Sequence, residues 1–263
     1  MEITVAGHSA HIYTGGRAPE PSAPTMVFIH GAELDHSCWN LQARWFAHHG
    51  WTVLAPDLPG HGRSGGEPLA SVAAIAAWLL ALLDAVGVRR AVLVGHSMGS
   101  LAALEAAAIS PERVSHVALL GNATPMPVSE ALLAAARDDE DRARGMINVW
   151  SHSARGQIGA SAVPGLWLMG MNRRLMERAR PGVLHTDLSA CNAYRDGLAR
   201  AANLACPVLI LCGGSDQMAP PKATLALAAA LPHARRVVLA GAGHALMAEQ
   251  PDAVIDALRD FLG

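Results

Sequence analysis

The chain has 263 residues, 51% of them hydrophobic and 16% charged, with a formal net charge of -2. That size and apolar content suit one large globular unit, or a unit carrying an insertion, and argue against a disordered chain. Lys222 is the only lysine and the arginines are scattered, so the chain has no basic stripe of the kind that tracks a nucleic-acid backbone.

The four cysteines, Cys38, Cys191, Cys206 and Cys212, form no C-x-x-C pair and no Cys/His set with zinc spacing. Free thiols in a reducing, cytoplasmic setting are the expectation, with no metal and no other cofactor. The opening residues, Met1-Glu2-Ile3-Thr4-Val5, lack the charged and then apolar pattern of a secretory leader. The longest apolar run, residues 72–83, stops at Asp84, too soon to cross a bilayer.

Short β-rich runs recur along the chain. Glu2–Val5 and residues 11–14 read as a hairpin, followed by runs at 27–29, 51–55, 91–94, 117–120, 208–211 and 236–239. The last six are near-continuously apolar, the pattern of a strand covered on both faces. Helical periodicity falls between them at 38–49, 71–86, 98–109, 221–231 and 251–262. This alternation predicts an α/β architecture, a mostly parallel central sheet flanked by helices. Between Asn122 and Ala205 it stops, leaving helical patterns at 130–144, 166–180 and 188–202. The expected division is a core of residues 1–122 and 206–263 with a helical cap, 123–205. The cap would lie over the carboxyl edge of the sheet, where open α/β sheets bind ligands.

Gly95-His96-Ser97-Met98-Gly99 fits G-x-S-x-G between the run at 91–94 and the helical pattern at 98–109. Such a turn lifts a hydroxyl above the sheet, and small flanking residues let neighbouring backbone approach. The helix behind it aims its amino-terminal N–H groups at a developing oxyanion. Ser97 is therefore the candidate nucleophile, against the plainer reading of an idle serine on a glycine-rich turn. With one lysine and no S-x-x-K, its base must come from the 13 histidines. His244 follows the last predicted strand and reaches the same sheet edge; His8, His11, His48, His49 and His233 fall in hairpins, helix ends or surface turns. The orienting carboxylate is Asp216, behind Gly213-Gly214-Ser215, because the other place for an acid, after the run at 117–120, holds Asn122. The oxyanion donors are expected to be the N–H groups of Met98 and Ala32, with His30 bracing the loop that carries Ala32.

Five motifs stand in order: His30-Gly31, Asp57-Leu58-Pro59-Gly60-His61-Gly62-Arg63-Ser64, Gly95-His96-Ser97-Met98-Gly99, Gly213-Gly214-Ser215-Asp216 and Gly243-His244. In these the chain resembles the α/β-hydrolase superfamily, specifically its serine hydrolases with a helical cap, from about residue 2 to residue 262. The resemblance implies a triad in the order Ser97, Asp216, His244. It also makes the segment after Asp57 a structural loop. That segment is formally G-x-G-x-x-G, but Pro59 and Pro68 bracket it and no helix opens there, so a dinucleotide site is not expected. Ser97 stands where dehalogenases and epoxide hydrolases of the fold carry Asp and dienelactone-hydrolase-like enzymes carry Cys. Ala32-Glu33-Leu34-Asp35 departs from the Gly-Pro-Gly-like continuation of many C–C bond hydrolases. Ser100 replaces a glycine common in relatives and would tighten the elbow helix.

Glu33, Asp35 and His36 are expected to cap the helix at 38–49 rather than to bind a metal. The expected activity is a serine hydrolase, carboxylesterase-like, that cleaves an ester-type bond of a small apolar or aromatic substrate through an acyl-enzyme. C–C bond, lactone and amide hydrolysis and perhydrolysis share the same triad, and a non-catalytic binding or receptor protein is the remaining alternative. Met126, Met146, Trp150 and Trp167 are the expected substrate contacts, because soft and aromatic side chains line adaptable pockets; packing of the cap onto the body is the competing role. Arg173, Arg174, Arg178 or Arg195 turned inward would indicate an acidic substrate, and an all-apolar cavity a neutral ester. A small-molecule substrate is the expected partner, without nucleic acid or membrane; a homodimer is compatible with the sequence.

Overall fold

The structure, a computed structural model, describes residues 1–160 and 165–263. Eight strands form one sheet: β1 (Glu2–Val5), β2 (His8–Tyr13), β3 (Thr25–Ile29), β4 (Thr52–Pro56), β5 (Ala91–His96), β6 (Val114–Leu120), β7 (Val208–Gly213) and β8 (Arg235–Leu239). Their spatial order is β1-β2-β4-β3-β5-β6-β7-β8. The β1–β2 and β2–β4 pairs are antiparallel and every later pair is parallel. The helices in chain order are α1 (Asn40–Ala47), α2 (Val72–Ala85), α3 (Met98–Ile109), α4 (Glu130–Asp138), α5 (Glu140–Ser151), α6 (Ala154–Gln157), α7 (Leu168–Met176), α8 (Val183–Ala193), α9 (Gly197–Ala201), α10 (Leu225–Ala230), α11 (Leu246–Glu249) and α12 (Pro251–Leu262). Six of them, α4 to α9, lie between β6 and β7. No described helix is long and apolar enough to cross a membrane.

The continuous apolar runs have a direct cause. Successive residues of a strand face opposite sides of the sheet. Val27 and Ile29 join the core shared with α2 and α3, while Met26 and Phe28 join the core shared with α1 and α12. Leu93, Val117 and Ile210 face the first core, and Val94, Ala118 and Leu211 the second. One strand breaks this rule. β8 closes the sheet, and its Val238 is 42% exposed, because an edge strand meets helices over only part of its surface. Helix α2 starts where Ser71 accepts the Ala74 N–H, a side-chain cap that satisfies one free amide.

The insertion departs from the expected helices in three places. The 130–144 pattern is interrupted at Asp139, whose ψ of 75° leaves the helix and which caps α5 by accepting the Arg142 N–H. The 166–180 pattern shortens to α7. The 188–202 pattern divides into α8 and α9 around Tyr194, whose ψ of 110° leaves the helix. The insertion has an apolar cluster of its own, including Leu132, Ile147, Met176, Leu184 and Leu188, packed against Ala32 and Met218 of the sheet loops.

Asp57 holds the loop after β4. Its Oδ1 accepts the His36 N–H at 2.8 Å and His36 Nδ1 at 2.7 Å, and its Oδ2 accepts the Arg63 N–H at 2.8 Å. Burial alone would raise this carboxyl, but the His36 and Arg63 hydrogen bonds overcome it and lower the pKa to about 2. A depressed carboxylate stabilises the fold above its unfolded pKa of 3.8 and loses that contribution as pH falls through about 2. At 1.36 kcal/mol per pKa unit, Asp57→Asn is expected to cost about 2 kcal/mol at pH 7. Urea unfolding should also show a flatter loss of stability between about pH 4 and pH 2 in the variant. The atoms of His11, His36 and Asp57 come close enough to hold an ion. The Asp57 oxygens are already occupied by N–H donors, which makes the group a loop brace.

Candidate active site

The sheet order reverses around β3, which lies between β4 and β5, and ligands in such sheets bind at the carboxyl edge beside that reversal. Four loops from that edge carry the candidate residues. Ser97 follows β5 with φ 52° and ψ -118°, a left-handed setting that costs a side-chain-bearing residue of order 1–3 kcal/mol. The turn is held from several sides. The Ser97 N–H donates to Leu120 O at 2.9 Å. Ser100 Oγ donates to Ser97 O at 2.6 Å, Asn122 Nδ2 to Ser100 Oγ at 2.8 Å, and Thr124 Oγ1 to Asn122 Oδ1 at 2.8 Å. Ser100 thus tightens the elbow as expected, and Asn122, in the alternative acid position, is the second member of that relay. A Cβ on Gly99 would lie 2.4 Å from Ile29 O, so the pattern's last glycine lets α3 pass against β3.

Asp216 follows β7 and His244 follows β8. Asp216 Oδ2 receives His244 Nδ1 at 2.8 Å, and Asp216 Oδ1 accepts the N–H groups of Met218 and Ala219, both at 2.8 Å. Both residues are buried, at 4% exposure each. Burial favours the neutral acid, but the His244 charge and hydrogen bond and the two N–H donors outweigh it, so Asp216 lies below its ordinary value. The two loops touch: a Cβ on Gly213 would lie 2.1 Å from Gly243 O, and the Ser215 N–H donates to Ala242 O at 2.8 Å. His96 Nε2 donates to His244 O at 2.9 Å. Burial, then repulsion from His244, lowers the pKa of His96 to about 3, so it stays neutral and braces the loop that carries His244.

His30 braces the loop after β3, as expected. Its Nδ1 donates to Gly31 O at 2.8 Å and its Nε2 accepts the Leu58 N–H at 3.1 Å. Among the described residues, neither the Ala32 nor the Met98 N–H donates a hydrogen bond within the protein. Ala32 borders the space above Ser97, while Met98 is fully buried behind it. Asp35 caps the turn before α1 by accepting the Ser37 N–H. Glu33 does not cap: it takes φ 57° and pairs with Arg144 of α5. His36 does not cap either, since its ring is taken by Asp57.

A cavity of about 210 Å³ opens on Ser97 and His244 and is roofed by the insertion. Met126 and Trp150 line it. Met146 and Trp167 do not. Met146 packs into the insertion's own cluster, and Trp167 is 67% exposed. No Asp, Glu, Lys or Arg is among the described lining residues. The arginines that could have faced inward are outside it: Arg173 pairs with Asp141 and Glu177, Arg174 with Glu177 and Arg178 with Asp35, while Arg195 is absent from the cavity wall.

Sequence reasoning missed Glu249. This buried carboxylate accepts the Gly243 N–H at 2.8 Å and the Ser153 hydroxyl, tying the loop that carries His244 to the insertion. No local pattern marks it, because its contact with Ser153 spans 96 positions and its bond to Gly243 depends on how the intervening turn folds back.

A parallel sheet that gathers a strained serine, a buried Asp–His pair and a roofed cavity at its carboxyl edge defines a hydrolase scaffold. The chain belongs to the α/β-hydrolase fold family, whose model matches residues 24–251. It is 26% identical over 261 residues to an (E)-2-((N-methylformamido)methylene)succinate hydrolase of Acinetobacter baylyi, covering 97% of this chain and 94% of that protein. It is 29% identical over 257 residues to a 2-hydroxy-6-oxononadienedioate/2-hydroxy-6-oxononatrienedioate hydrolase of Paraburkholderia phymatum, covering 91% of this chain and 87% of that one. Among solved structures, the enol-lactonase from Burkholderia xenovorans LB400 superposes with a TM-score of 0.87 at 25% identity, over 100% of this chain and 99% of that one. The chain is a hydrolase of this family.

Proposed function

We propose that the protein is a serine hydrolase of small, neutral, apolar carboxylic esters, with Ser97 as nucleophile, His244 as base, Asp216 as its orienting acid and the insertion as a cap. The observation that carries this reading is the cavity. It joins Ser97 to the Asp216–His244 pair and offers a substrate no charged side chain among its described walls. Ser97 attacks the ester carbonyl as His244 takes its proton. The Ala32 and Met98 N–H groups receive the oxyanion, and His244 returns the proton to the leaving alcohol. Water, activated by His244, then releases the acid. The names of the curated relatives carry carboxylates, a succinate and a dienedioate. This cavity has no cation to meet one. The likeness to an enol-lactonase brings lactones, which are cyclic esters, into the same reaction class.

The test pairs p-nitrophenyl butyrate with an ester of equal length ending in a carboxylate. A carboxylate buried without a partner costs more than about 1.4 kcal/mol, so kcat/KM should favour the neutral ester by at least about tenfold. Equal or better turnover of the anionic ester, or turnover confined to vinylogous diketones or amides in the same panel, would sink the reading.

A further inference from the structure

The loop after β3 is held by the insertion as much as by the sheet. Glu33, next to Ala32, sits at φ 57°, a setting that persists in a side-chain-bearing residue only where its surroundings impose it. Two insertion residues do so. Asp187 of α8 accepts the Glu33 N–H at 2.9 Å through the Oδ2 that also takes His61 Nε2 at 2.8 Å. Arg144 of α5 grips Glu33 Oε1 through Nε at 2.9 Å and Nη2 at 2.6 Å. Glu33, Asp187 and His61 are each at most 2% exposed. None of the four lines the cavity, yet α5 and α8 also contribute Ile147, Trp150 and Leu188 to its wall.

We propose that Glu33, Arg144 and Asp187 are positioning residues that hold the Ala32 N–H in the oxyanion site, so that the helices shaping the substrate pocket also set a catalytic donor. This rests on the Ser97 reading above. A backbone N–H takes its direction from its neighbours, and a donor acts only at about 2.7–3.1 Å from the oxyanion's place. The clamp is electrostatic. Burial pushes the Glu33 carboxyl up to about 7, with Glu140 and Asp187 adding to that push and Arg144 opposing it. At His61 burial acts downward, but the Asp187 carboxylate prevails and holds the imidazole above its ordinary value.

Steady-state hydrolysis of p-nitrophenyl butyrate by folded variants tests the proposal. Arg144→Met should lower kcat by about 10- to 100-fold and leave KM within about twofold, because a displaced donor weakens the transition state and not ground-state binding. The rate of Ser97 labelling by a fluorophosphonate should fall with kcat. Arg144→Lys should restore part of the loss. Glu33→Gln/Arg144→Met removes both charges, so it leaves no unpaired buried carboxylate should the single variant fail to fold, and its kcat should be as low. A double variant with parental kcat overturns the proposal; so does a raised KM at unchanged kcat, which would make the pair part of the pocket. Failure of the Ser97 reading looks different, since Ser97→Ala would then stay active whatever Arg144 does.

Discussion

Ser97→Ala is expected to lower kcat/KM for p-nitrophenyl butyrate by at least about 10³-fold and to abolish fluorophosphonate labelling. The substitution is clean for structural reasons. The Ser97 hydroxyl carries no hydrogen bond of the fold among the described residues, while the bonds that hold the turn run through its N–H and C=O. Alanine keeps the Cβ and therefore the same backbone cost at φ 52°. Thermal unfolding of the variant should match the parent, and the loss of rate can be assigned to chemistry. A purified, folded variant with more than about a hundredth of parental activity would show that another group performs the attack.

Asp216→Asn should be nearly as damaging, at about 10³- to 10⁴-fold in kcat. Asp216 Oδ1 accepts two backbone N–H groups, from Met218 and Ala219. An asparagine must turn its carbonyl oxygen toward those donors, which aims its NH₂ group at His244 Nδ1. That nitrogen must then be an acceptor, so the ring proton moves to Nε2, the atom meant to take the Ser97 proton. The imidazole stays in place in the wrong tautomer. Activity at pH 8 with the neutral ester measures the effect. A kcat within tenfold of the parent would remove Asp216 from its assigned role.

The sheet was legible because strands buried on both faces leave continuous apolar runs, and each of the eight strands overlaps such a run or the hairpin pattern, although β2 and β6 begin three residues before the positions expected. Helix α3 matches its expected span, 98–109, to the residue, since it is buried nearly all round and its two polar residues, Ser100 and Glu105, are hydrogen-bonded inside the fold. The insertion was less legible. Asp139 and Tyr194 interrupt helices whose periodicity continues across them. Tertiary contacts and capping outweigh the few tenths of a kcal/mol by which propensity favours continuation. Trp167 and Met146, placed by composition alone, fell outside the described cavity wall, while Met126 and Trp150 fell inside it.

The sequence by itself determined the fold and the candidate triad. Both rest on local signals: glycines where backbone must approach backbone, and polar residues just beyond apolar runs. Only the tertiary structure decided that no charged side chain faces Ser97 among the described walls, and that Arg144 and Asp187 grip the loop carrying Ala32. Those contacts join residues 111 and 154 positions apart. Whether a side chain points inward or pairs outside depends on how separate helices dock, and short-range patterning carries no record of that.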